Sequence, residues 1–167
     1  MYGIDRPRRE DATVVAHYDP TVRTPRETAL AYMEAWNAMD AAACSACFAE
    51  DGVREGRILA RATAGGARFP RFVGREAIRD RIAGFMVAVP DLRVDVLRVG
   101  EGPPDTAWLE WRLTGTHRAD WGAWVARGER VDVPAVSIYR VAAGLIAEEA
   151  EYIDPAVMMT PPAEPAR

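Results

Sequence analysis

The chain has 167 residues, 49% of them hydrophobic, and carries 21 basic against 25 acidic residues for a net charge of −4. That length fits one domain with a sizeable core, and the acidic balance offers no broad basic field to nucleic acid or to an anionic membrane surface. Every basic residue is arginine, which excludes Schiff-base catalysis and a Walker-type phosphate loop, since both need a lysine ammonium group.

Residues 1–23 lack periodicity and hold Pro7, Pro20 and many charges. They read as an N-terminal arm without the apolar stretch of a signal peptide. No apolar run approaches the roughly 20 residues needed to cross a bilayer, so a cytoplasmic protein is expected. At Thr24-Pro25-Arg26-Glu27 a helix begins: Thr24 caps, Pro25 suits the first turn and Glu27 completes a capping box. Leu30, Met33 and Trp36-Asn37 then recur at helical spacing. Asp40 opens a second helix that is expected to run through Cys47-Phe48 and to stop at Glu50-Asp51-Gly52. Cys44 and Cys47 form a C-x-x-C inside this Ala-rich stretch. A redox motif would follow a strand and a zinc site would need further ligands nearby, so packing is the expected role.

Val53 to Leu59 reads as a first strand and Ala64 to Pro70 as a loop. A third helix is expected from Gly74 to Val89, with Ile78, Ile82, Phe85-Met86 and Val89 on its buried side and Pro90 ending it. Four strands follow: Leu92 to Val99, Thr106 to His117, Val131 to Val141 and Leu145 to Ile153. The connection Ala119 to Gly128 holds Trp121 and Trp124, and the turn Ala142-Ala143-Gly144 joins the last two strands. From Pro161 the chain reads as a disordered Pro-rich tail. Helices followed by an antiparallel meander is an α+β order. A curved sheet wrapped around helices makes a cone whose apolar mouth suits a small molecule.

The last strand carries Glu148, Glu149 and Glu151 and leads into Asp154-Pro155. Carboxylates on a strand that otherwise reads as sheet interior must be paired, hydrogen-bonded or put to use. Alternation puts Glu149, Glu151 and Ile153 on one face, and Val133, Ala135, Ser137 and Tyr139 on one face of the preceding strand. Glu151 and Ser137 therefore line one cavity if both odd-numbered faces point inward. Otherwise Glu151 is a rim charge.

Several segments resemble a known family. Tyr32-Met33-Glu34-Ala35-Trp36-Asn37-Ala38-Met39-Asp40, followed by Cys47-Phe48-Ala49-Glu50-Asp51-Gly52, is similar to the opening of the NTF2-like superfamily. Phe72-Val73-Gly74-Arg75-Glu76-Ala77-Ile78 resembles its third-helix entry. Gly115-Thr116-His117, Val136-Ser137-Ile138-Tyr139-Arg140 and Gly144-Leu145-Ile146 through Tyr152-Ile153-Asp154 are similar to its SnoaL-like polyketide cyclase branch. The resemblance covers about residues 25–160. It implies an NTF2-like cone of three helices in a curved antiparallel sheet over residues 24–160, flanked by the arm 1–23 and the tail 161–167, and a homodimer formed through the sheet.

The same resemblance implies site residues. Tyr32 falls where ketosteroid isomerases keep an oxyanion-donating tyrosine; the alternative is core packing. The isomerase base falls near Gly56, beside Glu55, and its second acid at Ser137. The acid/base aspartate of the SnoaL-like cyclases falls at Glu151, and their pocket histidine at Ser137. Catalytic candidates are thus Glu151, Tyr32, Asp154, His117 and Arg112; candidates for substrate binding are Trp36, Ser137, Tyr139, Trp111 and Glu55. Asp154 is alternatively a turn residue before Pro155, and His117 is either a proton shuttle or a holder of the adjacent loop. Glu110 and Arg112 either pair with Glu151, a carboxylate-arginine-carboxylate set similar to that of limonene-type epoxide hydrolases, or form a structural ion pair. Trp108, Trp111, Trp121 and Trp124 are walls for a flat apolar substrate or packing groups. The expected activity is a cofactor-independent, metal-free cyclase or isomerase of a polyketide-like natural-product pathway, moving a proton next to a carbonyl on a hydrophobic small molecule. An epoxide hydrolase or dehydratase, and a noncatalytic binding or assembly module, are the alternatives.

Overall fold

Thr24 caps helix α1 (Pro25–Asn37) with a complete capping box. Its hydroxyl accepts from the Glu27 amide, and the Glu27 carboxylate accepts from the Thr24 amide at 2.8 Å. The computed structural model describes residues 21–57, 71–102, 105–122 and 124–153. After α1 come α2 (Ala41–Ala46), β1 (Phe48–Arg57), β2 (Arg71–Val73), α3 (Arg75–Ala88), β3 (Arg93–Gly102), β4 (Thr106–Thr116), β5 (Arg130–Ala142) and β6 (Leu145–Ile153). The strands form one sheet in the order β2-β1-β6-β5-β4-β3. All neighbours are antiparallel except β1 and β6, which run parallel.

Strict alternation decides which face of the sheet meets the helices. On β5, Val131, Val133, Ala135, Ser137, Tyr139 and Val141 are buried while Pro134, Val136, Ile138 and Arg140 are exposed. On β4 the inward set is Ala107, Leu109, Trp111 and Leu113. Against this face pack Tyr32, Met33 and Trp36 of α1 and Ile78, Ile82 and Phe85 of α3. Burying a side chain the size of Ile82 or Leu109 contributes about 1.5–3 kcal/mol. Register shifts in β3 between Val96 and Arg98, and between Arg140 and Val141 of β5, add local twist and bend the sheet around the helices. Asn37 locks the end of α1 to that curve, bonding the Val94 carbonyl and amide at 2.8 Å each. The β5–β6 turn places both Ala143 (φ 50°) and Gly144 (φ 74°) in the left-handed region, as a two-residue hairpin with the sheet's own twist requires. The sheet and helices together give the α+β cone of the NTF2-like type.

Three local expectations need correction. The second helix ends at Ala46, and Phe48 already belongs to β1, which starts well before Val53. The reason is Gly52: it reads as a turn residue, yet it sits within the strand at a register shift. A Cβ there would stand 2.9 Å from the Ala49 carbonyl oxygen and 3.0 Å from that of Ile146. Phe72-Val73, expected as a helix entry, forms the short edge strand β2 paired to Val53 and Arg54. Residues 1–20, the expected loop Ala64–Pro70, Asp154 and the tail 161–167 lie outside the described residues.

Candidate active site

Between α1, α3 and the concave face of the sheet lies a pocket walled by Met33, Trp36, Ile82, Phe85, Val94, Trp111, Leu113, Trp121 and Val133. Counted as room for the centres of water-sized molecules, the cavity measures about 90 Å³, several times what one water needs. Four ionisable groups line it: Arg54 from β1, Arg81 from α3, and Glu149 and Glu151 from β6. The parallel β1–β6 register puts Arg54 beside Glu149 and Gly56 beside Glu151. With no side chain at Gly56, the Arg54 guanidinium has space to reach both acids.

Glu149 is the hub. Its residue exposure is 2%. The Arg54 Nε–H donates to Glu149 Oε2 at 3.0 Å, the Tyr32 hydroxyl donates to the same oxygen at 3.3 Å, and the Ser137 hydroxyl donates to Oε1 at 3.2 Å. Ser137 in turn accepts from the Trp111 indole N–H at 3.1 Å. The outer end of the Arg54 guanidinium bonds Glu151 Oε1 through Nη2 at 2.9 Å, making a carboxylate-arginine-carboxylate set. Trp36 backs the guanidinium, its ring centroid 5.9 Å from Cζ.

Burial pushes the Glu149 carboxyl up to about 7, against the opposing pull of Arg54 and with help from the Glu151 charge; the bonds from Ser137 and Tyr32 offset only part of it. Burial works against the Arg54 charge, but Glu151 and its other partners hold its pKa well above the ordinary arginine value. The Tyr32 and Tyr139 hydroxyls are raised far out of the physiological range, first by burial and then by Glu149. A carboxyl balanced near neutrality at the floor of an apolar pocket can both take and return a proton, which is the property a general acid/base needs.

A family model for the SnoaL-like domain matches residues 29–149, well over half of the chain. The chain belongs to the SnoaL-like family. Solved structures agree on the fold of this SnoaL-like domain. A proposed SnoaL-like polyketide cyclase from Jannaschia sp. CCS1 superposes with a TM-score of 0.68 at 19% identity, covering 88% of this chain and 99% of that one. A proposed polyketide cyclase from Pseudomonas putida KT2440 gives 0.65 at 22% identity, covering 82% and 96%. A proposed hydroxylase from Streptomyces galilaeus gives 0.64 at 19% identity, covering 84% and 88%. No curated protein matches the chain in sequence.

Within this SnoaL-like domain, the residues singled out from sequence divide into three groups. Glu151, Trp36 and Trp111 line the pocket. Tyr32, Ser137 and Tyr139 are fully buried behind it. Tyr32 and Ser137 are spent on Glu149, and Tyr139 packs edge-on against Tyr32 at 6.1 Å. Arg112, Glu55 and His117 lie apart from it. Arg112 projects from the outer face of β4 and forms a bidentate pair with Asp132, because even-numbered positions of that strand point away from the helices. Its neighbour Glu110 pairs with Arg98, so neither meets Glu151 across the sheet. Glu55 alternates with Arg54 and therefore faces outward, next to Arg57.

His117 is buried against Trp124 at 3.5 Å between ring centroids, with Nδ1 3.6 Å from Glu129 Oε1, beyond hydrogen-bond reach, and no hydrogen-bond partner at Nε2 among the described residues. Its backbone closes the loop that follows, bonding Glu129 and Gly128. Trp121 reaches the pocket, whereas Trp124 fills the space behind it and Trp108 lies on the outer face over Gly100. Cys44 and Cys47 are free buried thiols whose pKa values are raised, chiefly by burial. Glu149, Arg54 and Arg81 join the site beyond the residues expected from sequence. Alternation had placed Glu149 beside Glu151; only strand pairing brings Arg54 to them. No helix among the described residues is long and apolar enough to cross a membrane.

Proposed function

We propose that this chain is a cofactor-independent cyclase or isomerase that moves a proton next to a carbonyl on an apolar small molecule, with Glu149 as the acid/base. The observation that carries this reading is a carboxyl, 2% exposed, at the floor of an apolar pocket and poised near pH 7. Family membership supports the substrate class. The resemblance pointed to Glu151 for this role. Glu149 suits it better, because desolvation raises its basicity and three donors fix its orientation. Ionised Glu149 takes the proton from the carbon acid, Arg54 stabilises the charge that develops on the carbonyl oxygen, and protonated Glu149 returns the proton. Tyr32, with its proton committed to Glu149, positions the base rather than contacting substrate. The binding-module alternative called for a pocket without an inward carboxylate; Glu149 and Glu151 both line this one, which favours an enzyme.

The test is exchange, above the buffer rate, of the C–H next to the carbonyl of apolar cyclic ketones in deuterated water, followed by NMR. Glu149→Gln should slow exchange about 10²–10⁴-fold, and the wild-type rate should climb with pH and level off above about 7. Full exchange by Glu149→Gln together with loss in Glu151→Gln would move the role to Glu151. Exchange by neither the wild type nor any variant would remove the reading.

One observation favours a second reading. Glu149, Arg54 and Glu151 form a carboxylate-arginine-carboxylate set of the kind that activates water in epoxide hydrolases of this fold. Conversion of an apolar epoxide in ¹⁸O-water, with label in the diol, would select that reaction over proton transfer.

A further inference from the structure

Arg81 has no part in the proton chemistry, and its surroundings are unusual for a cation. It projects from the middle of α3 into the pocket, where its guanidinium carbon lies 3.1 Å above the centroid of Trp121 and 5.4 Å from that of Phe72. Its Nε is buried and has no hydrogen-bond partner, and the side chain forms no ion pair among the described residues. Both pocket carboxylates are already held by Arg54. Arg81 nevertheless stays charged at neutral pH, since burial and repulsion from Arg54, offset in part by attraction from Glu151, lower its pKa only to about 10. Stacking on an indole recovers part of the cost of placing a cation there, but the buried Nε–H remains unmet, and an unmet buried donor is costly.

Counting charge sharpens the point. The pocket is lined by two guanidinium groups and two carboxylates. Arg54 bonds both carboxylates, which leaves Arg81 as the pocket cation without an ion-pair partner among the described residues. A ligand supplying a single anion would give it one. The Trp121 face of the guanidinium is occupied, which leaves its edge for the ligand. Edge N–H groups lying in one plane match the two oxygens of a carboxylate.

We propose that the pocket selects flat apolar molecules bearing one carboxylate, and that Arg81 is the residue that anchors it. This rests on the reading of the pocket as the substrate site. Anchored there, the ligand's body lies among Trp36, Phe85 and Trp111, in the pocket that Glu149 also lines.

The experiment is calorimetric titration of the full chain with 2-naphthoate and with its neutral counterpart 2-naphthamide. The wild type should bind the carboxylate at least about tenfold more tightly, the advantage expected of a charge-assisted contact. Arg81→Gln should lose that preference, and Arg81→Lys, which keeps the charge, should retain part of it; the unfolding transition of each variant verifies its fold. Equal binding of the two probes by the wild type, an unchanged preference in folded Arg81→Gln, or no saturable binding of either probe would overturn the proposal. Should Arg81→Gln fail to fold, the wild-type comparison and Arg81→Lys still decide. Glu149→Gln separates this inference from the proposed reaction: it should lose proton exchange yet keep the preference for naphthoate. A chain that prefers the carboxylate but exchanges no protons retains the anchor and loses the reaction.

Discussion

Arg112 on the outer face of β4 and Arg54 on the inner face of β1 each hold a carboxylate through a charged hydrogen bond, in opposite surroundings. The Arg112–Asp132 pair is bidentate, with side chains 53% and 36% exposed. Similar pairs, Arg140–Glu148 and Arg98–Glu110, decorate the same outer face. Water and salt screen such charges, so the pairs set solubility more than stability. Arg54 has 11% of its side chain exposed, and one guanidinium serves two acids. The deeper acid bears the cost of burial: the Asp132 carboxyl is held below its ordinary value by its Arg112 hydrogen bond, while burial drives Glu149 up to about 7. Chemistry thus follows from burial and stoichiometry, not from the presence of an arginine-carboxylate bond.

The largest effect expected from breaking this contrast is at Arg54. Arg54→Met removes the cation and leaves two carboxylates facing each other in the pocket. Breaking a buried ion pair by deleting one partner costs about 3–5 kcal/mol. Urea denaturation should show a loss of that order, and it should grow with pH as Glu149 ionises without the Arg54 charge beside it. A loss below about 1 kcal/mol would place Arg54 with the surface pairs.

Next in size is the pH dependence of Glu149. Its folded-state pKa lies above the unfolded value, and the group is an acid, so the folded state prefers the proton-bound form. Below about pH 4.5 both states are protonated and ionisation has no influence on folding. As pH climbs from there to about 7, the unfolded chain ionises freely while the folded one resists, so this group subtracts stability progressively until the folded carboxyl also ionises. Glu149→Gln removes that penalty. Whatever its offset from the wild type at pH 4.5, the melting temperature of the variant should rise relative to the wild type across pH 5 to 7 and then run parallel. A constant difference throughout would mean that Glu149 titrates normally.

How far these features could be read from the chain depends on the range of the interaction that creates them. The capping box at Thr24-Glu27, the end of α3 before Pro90 and the hairpin at Ala143-Gly144 are local, and local chemistry is written in adjacent residues. Inward and outward faces of β4, β5 and β6 follow from period two, so Glu149, Glu151 and Ser137 could be placed together. Arg54 could not, because its partnership depends on β1 lying parallel to β6, a pairing across 95 residues with no signal in either strand. Glu151 drew attention through its likeness to a family position, but desolvation ranks the two acids, and depth within a pocket is a property of packing. Arg112 misled for the complementary reason: its residue type suited a site, while its even-numbered position on β4 turned it to water.

That last position gives the smallest effect and the sharpest control. Arg112→Ala removes a bidentate pair whose two bonds are shorter than either that Arg54 makes to its acids. If hydrogen-bond geometry set the worth of an ion pair, this variant would be among the most damaged. Screening argues the reverse: Arg112 and Asp132 keep most of their hydration when apart, and the side-chain freedom regained offsets what attraction remains. The melting temperature should therefore match the wild type at moderate salt, and the response to naphthoate should not change, since no part of the pocket touches this strand face. A clear loss of stability that vanishes in high salt would show that the outer charges act as a connected array, and the contrast between the two faces would then be one of degree.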